Sequence, residues 1–105
     1  MELRQLQTRA YDTTDRIKIA RAIVATLQDL GFIIDRADME LGTISGTRLD
    51  GRTLKATVTL RLRGKRALVR LNVNRDHRTM TDPNLYQDFF IALDKSLFLV
   101  AMQVD

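Results

Sequence analysis

The chain has 105 residues, a formal net charge of +4, no cysteine and one histidine. At this length about two-thirds of the unfolded surface can be buried, which supports one domain with one core. The composition excludes disulfides, thiolate catalysis and cysteine-held metals, one histidine is too few for a histidine-built metal site, and no apolar run approaches the ~20 residues of a membrane span.

In chain order, residues 3–10 mix polar and apolar side chains and read as a strand. Asp12-Thr13-Thr14-Asp15 is a cluster of N-cap residues. Apolar residues then recur at Ile17, Ala20, Ile23, Val24, Leu27 and Leu30, one face of a helix over 14–30. Gly31 stands where a helix C′ residue belongs. A short β-branched strand follows over 32–36, and Ala37-Asp38-Met39-Glu40 reads as a turn. Residues 41–49 form the next strand, with Gly42 and Gly46 as candidate bulge positions.

Asp50-Gly51 and Gly64-Lys65 are tight-turn signals. They bound a strand over 53–63 and lead into another over 66–75. Leu54, Ala56, Val58, Leu60 and Leu62 alternate with Lys55, Thr57, Thr59, Arg61 and Arg63. Residues 76–81 read as a loop. Thr81 or Asp82 caps a second helix over 82–99, with Pro83 at its first position and Tyr86, Phe89, Phe90, Leu93, Leu97 and Val100 as its main stripe. The expected fold is α+β, in the order β-α-β-β-β-β-α. One antiparallel sheet packs on two helices in a single domain over 1–105.

Ile17, Ala20, Val24, Leu27, Val58, Leu60, Val69, Leu71, Phe89, Phe90, Leu93 and Leu97 are the expected core. A two-residue loop at Gly64-Lys65 sets Leu60 opposite Val69, Val58 opposite Leu71 and Ala56 opposite Val73, all apolar. The same loop length at Asp50-Gly51 sets Val58 opposite Thr43 and Ala56 opposite Ser45. Thr43, Ser45 and Thr47 would then face the core. Either that part of the inner face is polar, or a glycine bulge shifts the register.

Charge is segregated along the chain. Residues 48–78 hold ten basic and two acidic side chains, a local net of +8, and the remainder carries −4. The expected register places Arg48, Lys55, Arg61, Arg63, Arg66 and Arg70 on the sheet face away from the core. Such a face suits an anionic partner. The plainer reading is a solvated surface whose cations discourage edge pairing. Nucleic acid is disfavoured as the partner, because the strands from Arg48 to Arg75 hold no aromatic residue on which bases could stack.

No catalytic, cofactor-binding or metal-binding residue is expected. His77 sits in a polar loop without an evident orienting partner. Asp35, Asp38 and Glu40 are close in sequence but lack the glycine of a calcium loop. Neither Ser45 nor Ser96 lies in a nucleophile elbow, and Gly42 to Gly46 precedes no helix and no phosphate-binding lysine. The last helix carries a second apolar stripe, Ile91, Phe98 and Met102, with Lys95 between. A helix apolar on two faces is clasped by its sheet or meets a partner or a second copy.

The run Ala20 to Ile34, with its Leu30-Gly31-Phe32 helix end, followed by Asp38 and Gly42-Thr43-Ile44, resembles small Gram-negative envelope lipoproteins. These include a lipoprotein of the outer-membrane barrel assembly machinery that is built from helix-grip domains. The segments Leu6 to Asp15 and Asp82 to Phe90 resemble small uncharacterised lipoproteins of the same sort. The resemblance implies a helix-grip fold and a non-enzymatic periplasmic domain of an outer-membrane lipoprotein. Its partner would be an envelope protein or an anionic envelope component. Contact with the membrane would come only through a lipid anchor outside this chain. It further implies that a signal peptide and lipidated cysteine were trimmed and Met1 supplied; a natural start at Met1 would remove the envelope assignment. Two other readings stand beside it: a cytoplasmic module that binds an anionic partner through the arginine-rich face, and an enzyme with a pocket between sheet and helix lined by Thr43, Ser45 and Thr47.

Overall fold

The computed structural model describes residues 7–103, and the side chains of residues 7–49 and 51–98 within them. One antiparallel sheet carries both helices on one face. Its strands are β1 (Thr8–Tyr11), β2 (Ile33–Asp38), β3 (Thr43–Asp50), β4 (Arg52–Arg63), β5 (Arg66–Arg75) and β6 (Arg78–Thr79). The helices are α1 (Arg16–Asp29) and α2 (Pro83–Gln103). The spatial order is β1-β5-β4-β3-β2, with β6 extending beside β5. This is the α+β layout expected from the sequence. Residues 3–6 of the expected first strand lie outside the described residues.

Local chemistry sets the ends of α1. The Asp15 carboxylate accepts the Lys18 backbone N–H at 3.1 Å, an N-cap bond. At the other end Phe32 N–H reaches Leu27 O at 2.9 Å and Gly31 N–H reaches Gln28 O at 3.0 Å. With Gly31 at φ +92° this is a Schellman motif. Asp82 caps α2, accepting the Asn84 N–H at 3.0 Å.

The β4–β5 register is the expected one: Leu60 opposes Val69, Val58 opposes Leu71, and Ala56 opposes Val73. The β3–β4 register is not. Asp50 pairs with Arg52 around Gly51 alone, one residue tighter than a two-residue loop. Because side chains alternate with period two, that single step turns the whole of β3 over. Ile44 now opposes Val58 and Gly46 opposes Ala56, while Thr43, Ser45 and Thr47 lie on the outer face beside Thr59, Thr57 and Lys55. The irregularity that the glycines suggested falls instead in β2, between Ile34 and Arg36.

The core lies between the inner sheet face and the helices. Ile44, Leu54, Ala56, Val58, Leu60, Ala67, Val69, Leu71 and Val73 meet Ile19, Ile23 and Leu27 of α1 and Tyr86, Phe89, Phe90 and Leu93 of α2. Phe89 and Phe90 pack edge to face at 5.1 Å. Ile17 is a correction to the expected core: it is 64% exposed, because Ile19 and Ile23 set the buried face of α1 and Ile17 falls to its flank. Val24 and Leu97 are half-buried against the core. Where the helices meet, the Thr26 and Ser96 hydroxyls lie 3.2 Å apart and Thr26 also donates to Ala22 O at 2.7 Å.

The expected loop over 76–81 contains β6. Asp76 and His77 both take positive φ, 50° and 68°, and join β5 to β6 as a two-residue hairpin turn.

Candidate functional site

The β4–β5 hairpin is the longest paired unit of the sheet, ten residue pairs ending at Arg63 opposite Arg66. Its outer face carries the cations. Lys55, Arg61 and Arg63 project from β4, Arg66 and Arg70 from β5, and all five are exposed. Alternation explains this directly: Lys55, Arg61, Arg66 and Arg70 each flank a buried inner-face residue, and Arg63 continues the same period at the exposed end of β4. Lys55 stands apart in the row Asn74–Lys55–Thr47, while Arg61, Arg63, Arg66 and Arg70 gather toward the hairpin tip.

Arg48 does not belong to this face. The one-residue step in β3 sets it opposite Leu54, on the inner side. There its guanidinium lies 5.1 Å from the Phe32 ring centre and donates to Leu30 O at 2.8 Å. It thus satisfies a carbonyl at the end of α1, where the helix dipole favours a cation. Arg48 is a helix-capping residue, which corrects its expected place among the partner-facing arginines.

Carboxylates neutralise the tip only in part. Arg66 Nε lies 3.0 Å from Asp12 Oδ1. Among the described residues, Lys55, Arg61, Arg63 and Arg70 make no salt bridge. The outer face has acidic side chains at its far edge, in β2, and these are engaged. Asp38 pairs with Arg36 at 3.2 Å, and Asp35 accepts the Thr47 hydroxyl. The Arg9–Asp94 pair lies on the other side of the sheet, where it ties β1 to α2.

Two adjacent rows near the tip enclose a depression of ≈ 290 Å³ lined by Thr8, Thr59, Arg61, Leu68 and Arg70. The first row is Thr8–Arg70–Thr59 and the second is Ala10–Leu68–Arg61. Arg70 also donates to Gln7 Oε1 at 3.5 Å, and Gln7 in turn donates to Asn72 at 3.4 Å. Sequence reasoning placed Arg61 and Arg70 on this face. It did not single out Thr8, Thr59 or Leu68. The alternation that buries Val69 already pointed Leu68 outward, but the pairing of β1 with β5 left no short-range trace.

On α2, Ile91 and Phe98 are each 64% exposed, so the sheet does not clasp this side of the helix. Met102, the third member of that stripe, lies outside the residues whose side chains are described. His77 is exposed in the β5–β6 turn. Thr43, Ser45 and Thr47 line no pocket between sheet and helix, because they sit on the opposite face; the pocket on which the enzymatic reading depended is not built from them. Among the described residues no group of three or more acidic or histidine side chains could hold a metal ion.

No protein-family model matches the chain, and no curated protein is significantly similar to it.

Proposed function

We propose that this domain is a non-enzymatic binding module that engages an anionic component of the Gram-negative envelope through the outer face of its β4–β5 hairpin. The observation that carries the reading is the clustering of Arg61, Arg63, Arg66 and Arg70 on one exposed surface, with Asp12 the one carboxylate paired to them among the described residues. Like charges set across neighbouring strands repel and weaken the sheet. Mixed signs would serve solubility better. A partner of opposite sign relieves the repulsion.

The envelope location rests on the resemblance of the helix end and turns to small envelope lipoproteins. The periplasm, with an outer-membrane anchor in a longer precursor, is the proposed site of action, and the genomic reading frame upstream of Met1 tests it. A frame encoding a signal peptide and a lipidated cysteine supports the envelope. A frame that closes immediately upstream of Met1 favours the cytoplasmic module using the same face.

The binding test is triple charge reversal, Arg61→Glu, Arg63→Glu and Arg70→Glu, read out on vesicles containing anionic lipid and by pull-down from envelope extract. The parent should bind, and should release as salt shortens the screening length from ~10 Å at 0.1 M to ~3 Å at 1 M. The folded variant should not bind. A variant that keeps every interaction of the parent would reduce the face to a solvated surface.

A further inference from the structure

Near the tip of the basic face the surface is shaped as well as charged. The depression is lined by Arg61 and Arg70, set diagonally in adjacent rows, by Thr8 and Thr59 on either side of Arg70, and by the half-buried Leu68. We infer that it is a binding site for a single phosphomonoester group whose organic part rests on Leu68. The inference deepens the proposed function, and rests on it, by naming the ligand chemistry.

The donor set selects the ligand. Each guanidinium offers a planar fork of N–H groups matched to phosphate oxygens. The Thr8 and Thr59 hydroxyls can donate as well. This is more than the two oxygens of a carboxylate can use, and it suits the three terminal oxygens of a phosphomonoester. Among the described residues no carboxylate lines the depression, so none of them competes there for the guanidinium groups or recruits a cation. Among the described residues the one side-chain hydrogen bond of Arg70 is long, 3.5 Å to Gln7, which leaves its donors free to turn toward a ligand.

Geometry restricts the site to these residues. Arg70 stands directly between Thr8 and Thr59 across β1, β5 and β4. Arg61 stands opposite Leu68 in the next row, diagonal to Arg70. Arg63 and Arg66 lie one row further toward the tip, and neither lines the depression. They contribute field; Arg61 and Arg70 contribute contacts. Leu68 is only half-buried, and its remaining surface is what the ligand's carbon would cover.

The test uses the whole chain and four single variants, Arg61→Gln, Arg70→Gln, Arg63→Gln and Arg66→Gln. The probes are phenyl phosphate and inorganic phosphate, followed by backbone amide NMR. A second arm uses vesicles of phosphatidic acid, a phosphomonoester lipid, against phosphatidylglycerol, a diester, at equal charge. Phenyl phosphate should bind saturably, shift the amides of Thr59, Leu68 and Arg70, and bind more tightly than inorganic phosphate. Arg61→Gln and Arg70→Gln should each weaken it at least about tenfold, as expected for losing a hydrogen bond to a charged group. Arg63→Gln and Arg66→Gln should weaken it less than about threefold, as expected for screened surface charge. If phosphatidic acid vesicles also exceed phosphatidylglycerol, the source is a membrane headgroup; if only the soluble probe binds, it is a free phosphomonoester. Equal losses at all four arginines would overturn the site and leave the broader anionic reading standing. Binding of vesicles without saturable binding of either phosphate would do the same. Failure of the parent to bind any of these anions would overturn the site, and failure to retain any component of envelope extract as well would overturn the proposed function with it.

Discussion

At the scale of single residues, Arg48 shows how one step of register changes a role. Its sequence context, among nine other cations in a positive segment, suggests a surface group. Its structural context is the end of α1, where it holds Leu30 O and covers Phe32. Arg48→Ala should therefore destabilise the domain by about 1–2 kcal/mol, from a lost charge-assisted bond and lost packing. Urea unfolding measures this, and a change below about 0.5 kcal/mol would show that the cap is idle. Gly42 is the second such residue. Its φ is +69°, and a β-carbon there would press into the Leu60 carbonyl oxygen. The same two residues share a hydrogen bond, Leu60 N–H to Gly42 O at 2.7 Å. Gly42→Ala should cost about 2 kcal/mol or more, combining backbone strain with displacement of β4. An unchanged unfolding midpoint would contradict that close approach.

At the scale of elements, much of the fold is legible because its signals are local. Asp15 and Gly31 bracket α1, Pro83 opens α2, and Gly64-Lys65 fixes the β4–β5 register through matched apolar rows. What was hidden depends on geometry that short stretches do not encode. Asp50-Gly51 announces a turn but not whether one residue or two form it, and that difference decides which face of β3 is buried. Asp76-His77 lacks the glycine usual in such turns, so β6 left no sign. The docking of β1 is of the same hidden kind. Tyr11 donates to Asp94 Oδ1 at 2.8 Å, and Arg9 meets Asp94 Oδ2 at 2.8 Å while stacking on Phe90. Burial, with that hydrogen bond and the Asp94 charge adding to it, raises the Tyr11 hydroxyl well above its ordinary range. The folded state thus holds the phenol proton more tightly than the unfolded chain. Stability from this source is complete below pH ~10 and is lost as pH rises beyond it. Melting temperature should fall more steeply above about pH 10 in the parent than in Tyr11→Phe. Parallel curves would mean that the β1–α2 tie adds no pH-dependent stability.

At the scale of the whole molecule, one layer of helices covers one face of the sheet, so the two faces serve different ends. The inner face holds the fold. Leu93→Ala, in the middle of α2 against the sheet, should cost about 2–5 kcal/mol, whereas Ile17→Ala on the flank of α1 should cost less than about 1 kcal/mol. Equal losses at the two sites would mean that the buried face of α1 is misplaced. The outer face carries mostly polar and charged side chains, with Ile33, Leu49 and Leu68 as apolar exceptions, and its candidate site was legible as charge but not as shape. Arginines can be counted along the chain, whereas the depression exists only once β1 lies beside β5. Finally, an open sheet has two edges, here β1 and β6 beside β5 on one side and β2 on the other, and each could template another chain. β1 has only four residues. β2 breaks its pairing rhythm between Ile34 and Arg36, and the edge there is crowded by Asp35, Arg36 and Asp38. A second copy arriving strand to strand at β2 meets an irregular, charged edge rather than a straight, uncharged ladder.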